Sequence, residues 1–348
     1  MPLRGGCGAR LEVLHLSRWA ILGTSSFADH AVAPAILALD GASIAAVLSR
    51  DRSRGEAFAA RHGARRVYTS YEELLRDEDV DIVYVATPNA LHADQVVAAA
   101  GAGKHVLCEK PLATSVRDAR RALEACRAAG VRLGVNFQAR HHRFVPELKQ
   151  LLAAGRIGEV VTAEVWACPG RFPSLGWRAD PRLAGLGAVH NLGVHCYDLL
   201  RCLLEVEIVE VTALLDVGRT AALEHVALVL ARLSNGALAY VNAGDASAEP
   251  SGDLVLRGSE GSVVGRSVTP PGGDLVEVVV TSAAGSAERL TGATDETHLG
   301  AVAAFERAVH EGREPDASGL DGLRAAQVVE AVVASAREGR TVQVDLDD

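Results

Sequence analysis

No apolar run in this 348-residue sequence approaches the roughly 20 residues that a membrane-spanning helix needs, because Gly, Arg, Asp or His interrupts even the richest stretches. No membrane partner is expected. Positive charge is not in excess either. Lys and Arg number 35 against 44 Asp and Glu, a formal net charge of -9, which argues against partners gripped by phosphate neutralisation, nucleic acid and anionic lipid alike. The six cysteines (Cys7, Cys108, Cys126, Cys168, Cys196, Cys202) form no CxxC pair. Neither a zinc ribbon nor a disulfide scaffold is expected, and a reducing cytoplasm fits. Residues 11–16 are too short an apolar patch for a secretory core, so 1–17 is expected to be an N-terminal extension. Internal repeats and long low-complexity linkers are missing too.

What is present is 49% hydrophobic residues in a chain long enough for two domains. From residue 18 to 137, short apolar runs (19–22, 44–48, 82–86, 105–108, 132–135) alternate with Ala-rich amphipathic stretches (33–39, 55–62, 71–76, 90–102, 115–129). That alternation predicts βαβ units on a doubly wound parallel sheet, a Rossmann domain. After Phe137 the pattern changes. Helices are expected at 146–154 and 194–204, a Gly/Pro-rich loop at 169–187, and strands at 160–166, 207–216, 225–233, 237–243, 253–257, 262–264 and 275–281. Strands in series imply a large, mostly antiparallel open sheet in a second α/β domain, 138–348, closed by helices at 298–311 and 320–338.

The first strand runs into Gly23-Thr24-Ser25-Ser26-Phe27-Ala28, the GxGxxG/A spacing with Ser25 at the second glycine position. Small residues there let the backbone turn and approach a pyrophosphate at a helix N-terminus. An NAD site usually places Asp or Glu about 20 residues on, for the ribose hydroxyls. Here Ser49 and Arg50 end the second strand, with Arg54 following, which suits a 2′-phosphate. NADP(H) is the expected cofactor. NAD(H) stays open, with Asp51 turned back to the ribose and both arginines solvated.

Two further stretches, Ala86-Thr87-Pro88-Asn89-Ala90-Leu91-His92 and Gly103-Lys104-His105-Val106-Leu107-Cys108-Glu109-Lys110-Pro111, closely resemble the Gfo/Idh/MocA oxidoreductases. So do the 18–28 start, the turn Gly155-Arg156-Ile157-Gly158-Glu159, and Gly193-Val194-His195 leading to Asp198; the resemblance runs from about 18 to 344. It implies an enzyme moving a hydride between nicotinamide and a secondary alcohol or ketone of a sugar, sugar derivative or cyclitol. The family's lysine beside nicotinamide and substrate maps onto Lys110, with Pro111 fixing its approach and Glu109 as a ribose or supporting partner. Proton transfer at the substrate oxygen needs such a positioned group. His195 is the implied acid/base partner or hydroxyl ligand. Asn191 stands where the family often has Asp, so it can orient a hydroxyl but carry no proton. Thr87, Pro88, Asn89 and His92 are expected on the nicotinamide-ribose side. Arg140 falls where similar arginines bind substrate, and Trp177 and Arg178 lie in a long loop where an aromatic face can stack on a sugar ring. His190, His195 and Asp198 lack a recognised metal-ligand spacing, so no metal is expected. Oligomers are usual in the family through the second-domain sheet, and the apolar alternation around 225–231 on both faces predicts a homodimer or homotetramer. The competing reading is a non-catalytic dinucleotide-binding regulatory protein of the same fold.

Overall fold

The computed structural model of the chain describes residues 17–171, 176–216, 223–269, 275–293 and 297–347. The expected extension, Cys7 included, lies outside these apart from Ser17, which opens the first strand. Six parallel strands, β1 (Ser17–Leu22), β2 (Ala42–Leu48), β3 (Arg66–Tyr68), β4 (Ile82–Val85), β5 (His105–Cys108) and β6 (Leu133–Val135), pair in the order β3-β2-β1-β4-β5-β6. That is the doubly wound Rossmann order. The central strands read as unbroken apolar runs because helices cover both faces. Those helices are α1 (Ala33–Leu37), α2 (Arg52–His62), α3 (Tyr71–Leu75), α4 (His92–Gly101) and α5 (Val116–Ala129). Asp51, Ser70 and Ser115 cap α2, α3 and α5 by accepting backbone N–H bonds from their first turns. Strand β3, only three residues long, gave no pattern that sequence reading could use.

The second unit opens with α6 (Phe144–Ala153) and β7 (Val160–Ala167). The short helix α7 (Pro181–Ala184) and then α8 (Val194–Leu204) follow. Strands β8 (Ile208–Leu215), β9 (Val226–Leu233), β10 (Leu238–Gly244), β11 (Leu254–Gly258), β12 (Gly261–Arg266), β13 (Leu275–Ser282) and β14 (Ala287–Ala293) come next, and β15 (Val342–Gln343) ends the chain. They form one sheet, β14-β13-β12-β11-β7-β10-β9-β8-β15, antiparallel except for the central β7/β10 pair. The mixed, mostly antiparallel sheet expected from the sequence is there, wider by β14 and β15. Its inner face packs on α8 and on α10 (Gly319–Glu338). Its outer face leaves Leu214 72%, Leu230 60% and Leu238 49% exposed on adjacent strands.

The last two helices reach from the second unit to the first. Helix α9 (Thr297–Glu311) returns to the first sheet: Phe305 packs on Trp19 at 6.1 Å between ring centroids, and Trp19 Nε1 donates to Glu306 at 3.4 Å. The contact is close enough that a Cβ on Gly134 of β6 would stand 2.5 Å from the Phe305 ring. Helix α10 starts on a capping box, Ser318 with Asp321, and bridges α5 and β8. Helices α9 and α10 therefore pack against both units.

Candidate active site

In a parallel sheet every strand ends at the same edge, and a crevice opens where the strand order reverses, here between β1 and β4. Gly23 sits on that crevice with φ +102°, and a Cβ there would lie 2.7 Å from the Ala86 carbonyl oxygen just past β4. Only glycine fits, and its lack of a side chain leaves the backbone bare where a pyrophosphate would approach. Ser25 Oγ accepts the Ala28 N–H at 3.1 Å, Ser26 is exposed beside His30, and Phe27 meets His298 edge-on at 5.1 Å. At the end of β2 the Thr24 and Ser49 hydroxyls lie 3.1 Å apart, and Arg54 Nε donates to Thr24 Oγ1 at 3.2 Å. Asp51 accepts the Arg54 N–H as the cap of α2, while Arg50 is exposed. Bare backbone, small hydroxyls and two arginines at one crevice fit a dinucleotide.

Two strands across, β5 delivers Glu109 and Lys110 before a cis peptide to Pro111. Lys110 lines a cleft of about 130 Å³ together with Phe27, Gln138, Trp177, Arg178 and Asn191. Its Nζ donates to the Asn191 carbonyl oxygen at 2.8 Å. Burial draws the Lys110 ammonium down to about 8; Glu109 opposes that shift and the nearby Arg178 charge adds to it. Arg178 lies 4.4 Å over the Trp177 ring, and burial lowers its pKa as well. Glu109 is held by the Tyr84 hydroxyl at 2.5 Å and Asn136 Nδ2 at 2.6 Å.

The turn at 87–92 builds the near wall. Pro88 precedes a short turn of helix at Asn89–Leu91, Asn89 Nδ2 donates to the Ala184 carbonyl at 2.9 Å, and Thr87 Oγ1 donates to Gln95. His92, expected among the cofactor contacts, is fully buried, with its ring nitrogens 2.7 and 2.9 Å from the Pro111 and Thr87 carbonyl oxygens. It braces the Lys110 loop against the 87–88 loop. His190 accepts the Leu186 N–H through Nδ1, and burial takes it to about 4.

His195 opens α8 one turn after Asn191 and is 3% exposed. It lies close enough to Lys110 and His298 for their charges to add to a burial that drives its pKa well down, and its Nδ1 has no hydrogen-bond partner among the described residues. It is not on the wall of the cleft, which Lys110 and Asn191 form. Arg140, expected among the substrate contacts, is not part of the lining of the Lys110 cleft. Its guanidinium is held by Asp198 at 2.8 and 2.5 Å and by Asp321 at 2.8 Å, and it faces a separate groove. Sequence reading missed Tyr84, Asn136, Gln138 and His298. A usable signal existed for two of them, since Asn136 and Gln138 directly follow β6 at the ligand-binding edge of the sheet.

Fold and site together define a nicotinamide-dinucleotide oxidoreductase. The chain belongs to the GFO/IDH/MocA family: residues 17–137 match the model of the oxidoreductase family with an NAD-binding Rossmann fold, and 145–264 match the family's C-terminal domain. It is 34% identical to 1,5-anhydro-D-fructose reductase of Ensifer adhaerens, over 95% of this chain and 99% of that one. It is 31% identical to D-xylose 1-dehydrogenase (NADP(+)) 2 of Haloferax volcanii, over 94% and 99%. Among solved structures, aldose-aldose oxidoreductase from Caulobacter crescentus, complexed with glycerol, superposes with a TM-score of 0.85 at 27% identity, covering 94% of this chain and 99% of that one. The protein is an NAD(P)-binding enzyme.

Proposed function

We propose that the enzyme interconverts a secondary alcohol and a ketone on a sugar or polyol, with NADP(H) preferred over NAD(H) and Lys110 as the group that moves the proton. The observation carrying this is the buried Lys110 ammonium in the cleft, drawn down to about 8, where a proton donor and acceptor is most effective near neutral pH. A bound nicotinamide ring supplies or accepts the hydride. Lys110 gives the proton to the carbonyl oxygen in reduction and takes it from the hydroxyl in oxidation. Asn191 holds Lys110 by its carbonyl, Trp177 offers an aromatic face to a sugar ring, and His195 is kept neutral by burial and the nearby Lys110 charge. The sugar class is supported by the names of the relatives, an anhydrofructose reductase and a xylose dehydrogenase. The test mixes protein, NADPH or NADP+ and a panel of aldoses, ketoses, anhydro-sugars and inositols, following the absorbance of reduced nicotinamide. No turnover across the panel would sink the substrate class.

Ser49, with Arg50 and Arg54 at the end of β2, supports the 2′-phosphate, and the Asp51 carboxylate beside them accepts the Arg54 N–H as the cap of α2. Arg50→Ala should raise KM for NADPH by about 10- to 100-fold, the span of a lost charge-assisted hydrogen bond, and leave KM for NADH unchanged. Equal effects on both cofactors would show that Arg50 does not read the phosphate.

The outer sheet face around Leu214, Leu230 and Leu238 supports a homodimer or homotetramer, because covering the exposed part of each leucine would contribute about 1–2 kcal/mol. Light scattering should give a mass of at least two chains, and Leu230→Asp should lower it. A wild-type monomer at micromolar concentration would remove this assembly. Cys108, Cys126, Cys168, Cys196 and Cys202 are free, which supports a reducing cytoplasm as the location. Among the described residues no helix is long and apolar enough to cross a membrane.

A further inference from the structure

We infer that Glu224 is a positioning residue for the proton transfer: it fixes the turn whose Asn191 carbonyl oxygen holds the Lys110 ammonium. This rests on the role of Lys110 proposed above. The turn Val189–Gly193 runs directly into α8, and the residue before it, Ala188, has only a methyl group, which cannot cap the free N–H groups of a helix start. Glu224, 35 residues beyond Val189 and just ahead of β9, supplies that cap from a distance. Its Oε1 accepts the Val189 N–H at 3.0 Å, and its carbonyl oxygen accepts the Ala188 N–H at 3.0 Å. Gly187 packs so closely there that a Cβ would stand 1.9 Å from the same carbonyl oxygen. Glu224 is 2% exposed, and a carboxylate taken out of water is tolerated where it meets the positive end of a helix.

Three consecutive residues, Gly187, Ala188 and Val189, are thus pinned to the start of β9. From there the path to the reacting group is short. The Gly187 carbonyl oxygen accepts the Asn191 N–H at 2.9 Å, and the Asn191 carbonyl oxygen accepts from Lys110 Nζ at 2.8 Å. Both bonds belong to one residue, so tilting the start of the turn tilts the carbonyl. The charged and titratable groups that face Lys110 are Glu109, Arg178, His92, His190, His195 and His298. Glu224 is not among them and is not part of the cleft lining. Its carboxylate therefore acts on Lys110 through the turn and not through its charge. A carbonyl that accepts from an ammonium favours the protonated amine, so its displacement lowers the Lys110 pKa. The same displacement frees the side chain to leave the reach that proton transfer needs.

The test sets Glu224→Asp, which keeps the charge and shortens the reach by one methylene, against Glu224→Gln, which drops the charge and keeps an acceptor at the original reach. The chain has three lysines, Lys104, Lys110 and Lys149, so isotope-labelled lysine gives each its own NMR signal, and Lys110→Met assigns the one at issue. In the ligand-free full chain Lys110 should titrate at about 8 in wild type. It should titrate about one pH unit lower in Glu224→Asp, the scale of a weakened charge-assisted hydrogen bond, and close to wild type in Glu224→Gln. With NADPH and a panel sugar that wild type turns over, Glu224→Asp should lose about 10-fold in kcat with KM for NADPH unchanged, and Glu224→Gln no more than about threefold. Wild-type titration and kcat in Glu224→Asp, even with a lower Tm, would make Glu224 a structural brace and overturn the inference. So would a loss in Glu224→Gln as large as that in Glu224→Asp, since charge and not reach would then decide. The titration needs no substrate, so a wild type inactive on every sugar would sink the substrate class alone, whereas a Lys110→Met enzyme as fast as wild type would remove the reading on which Glu224 depends.

Discussion

Lys110→Met should lower kcat by about two to four orders of magnitude, the usual contribution of a positioned proton donor, while the Kd for NADPH stays within about twofold. Methionine keeps the length and apolar stem of lysine, so the cleft keeps its shape and only the proton and the charge go. The pH profile carries the same information with a sign. Reduction needs the protonated amine, so wild-type kcat/KM should be flat below about 8 and fall tenfold per unit above it; oxidation needs the free amine and should rise towards a plateau at the same point. Lys110→Met should lose both limbs. A linkage follows for the fold. Because the folded pKa is lowered, the unfolded chain binds more protons between about 8 and the ordinary lysine value, so the cost of burying the ammonium is full below pH 8 and shrinks above it. A Lys110→Met enzyme as fast as wild type on a confirmed substrate would move the proton transfer to another group, and His195 would then have to come forward to the cleft wall.

What the sequence made legible was what short stretches of chain decide for themselves. Strands buried on both faces need continuous apolar runs, so β1, β2, β4 and β5 announced themselves. The 23–28 turn and Glu109-Lys110-Pro111 each carry their chemistry within a few residues. Side chains that meet across long separations were not legible. Tyr84 reads as one more apolar residue of a buried strand, yet its hydroxyl holds Glu109. His298 reads as the first turn of an amphipathic helix, yet α9 returns it to Phe27 and Asn136. Nothing local to Arg140 says that Asp198 and Asp321 will hold it. Strand β14 escaped because Ala287–Ala293 carries Glu288 and Arg289 at a sheet edge, where no alternation is enforced.

The claim of those two carboxylates on Arg140 has a large expected effect. Asp198 is 1% exposed and accepts two hydrogen bonds from Arg140; Asp321 also has Arg201 at 3.0 Å and the Ser318 N–H at 2.8 Å. Arg140→Met therefore leaves Asp321 partnered and takes from the buried Asp198 carboxylate its hydrogen-bonded cation, with only the charge of Arg201 left to offset its burial. Removing one member of such a pair costs about 3–5 kcal/mol, which for a chain of this size lowers Tm by about 4–7 °C. Replacing both, Arg140→Met with Asp198→Leu, should recover most of that loss, because the penalty belongs to the stranded charge more than to the missing bond. Thermal melts of the two single variants and the double variant measure this directly. The same melts separate the two roles open to Arg140. A substrate ligand would raise the sugar KM with Tm unchanged, whereas a brace lowers Tm first and reaches kcat/KM only through the turn that carries Gln138. A Tm loss below about 1 kcal/mol equivalent, the scale of a solvated surface pair, would mean that water already reaches Asp198 and that the turn is held by packing instead.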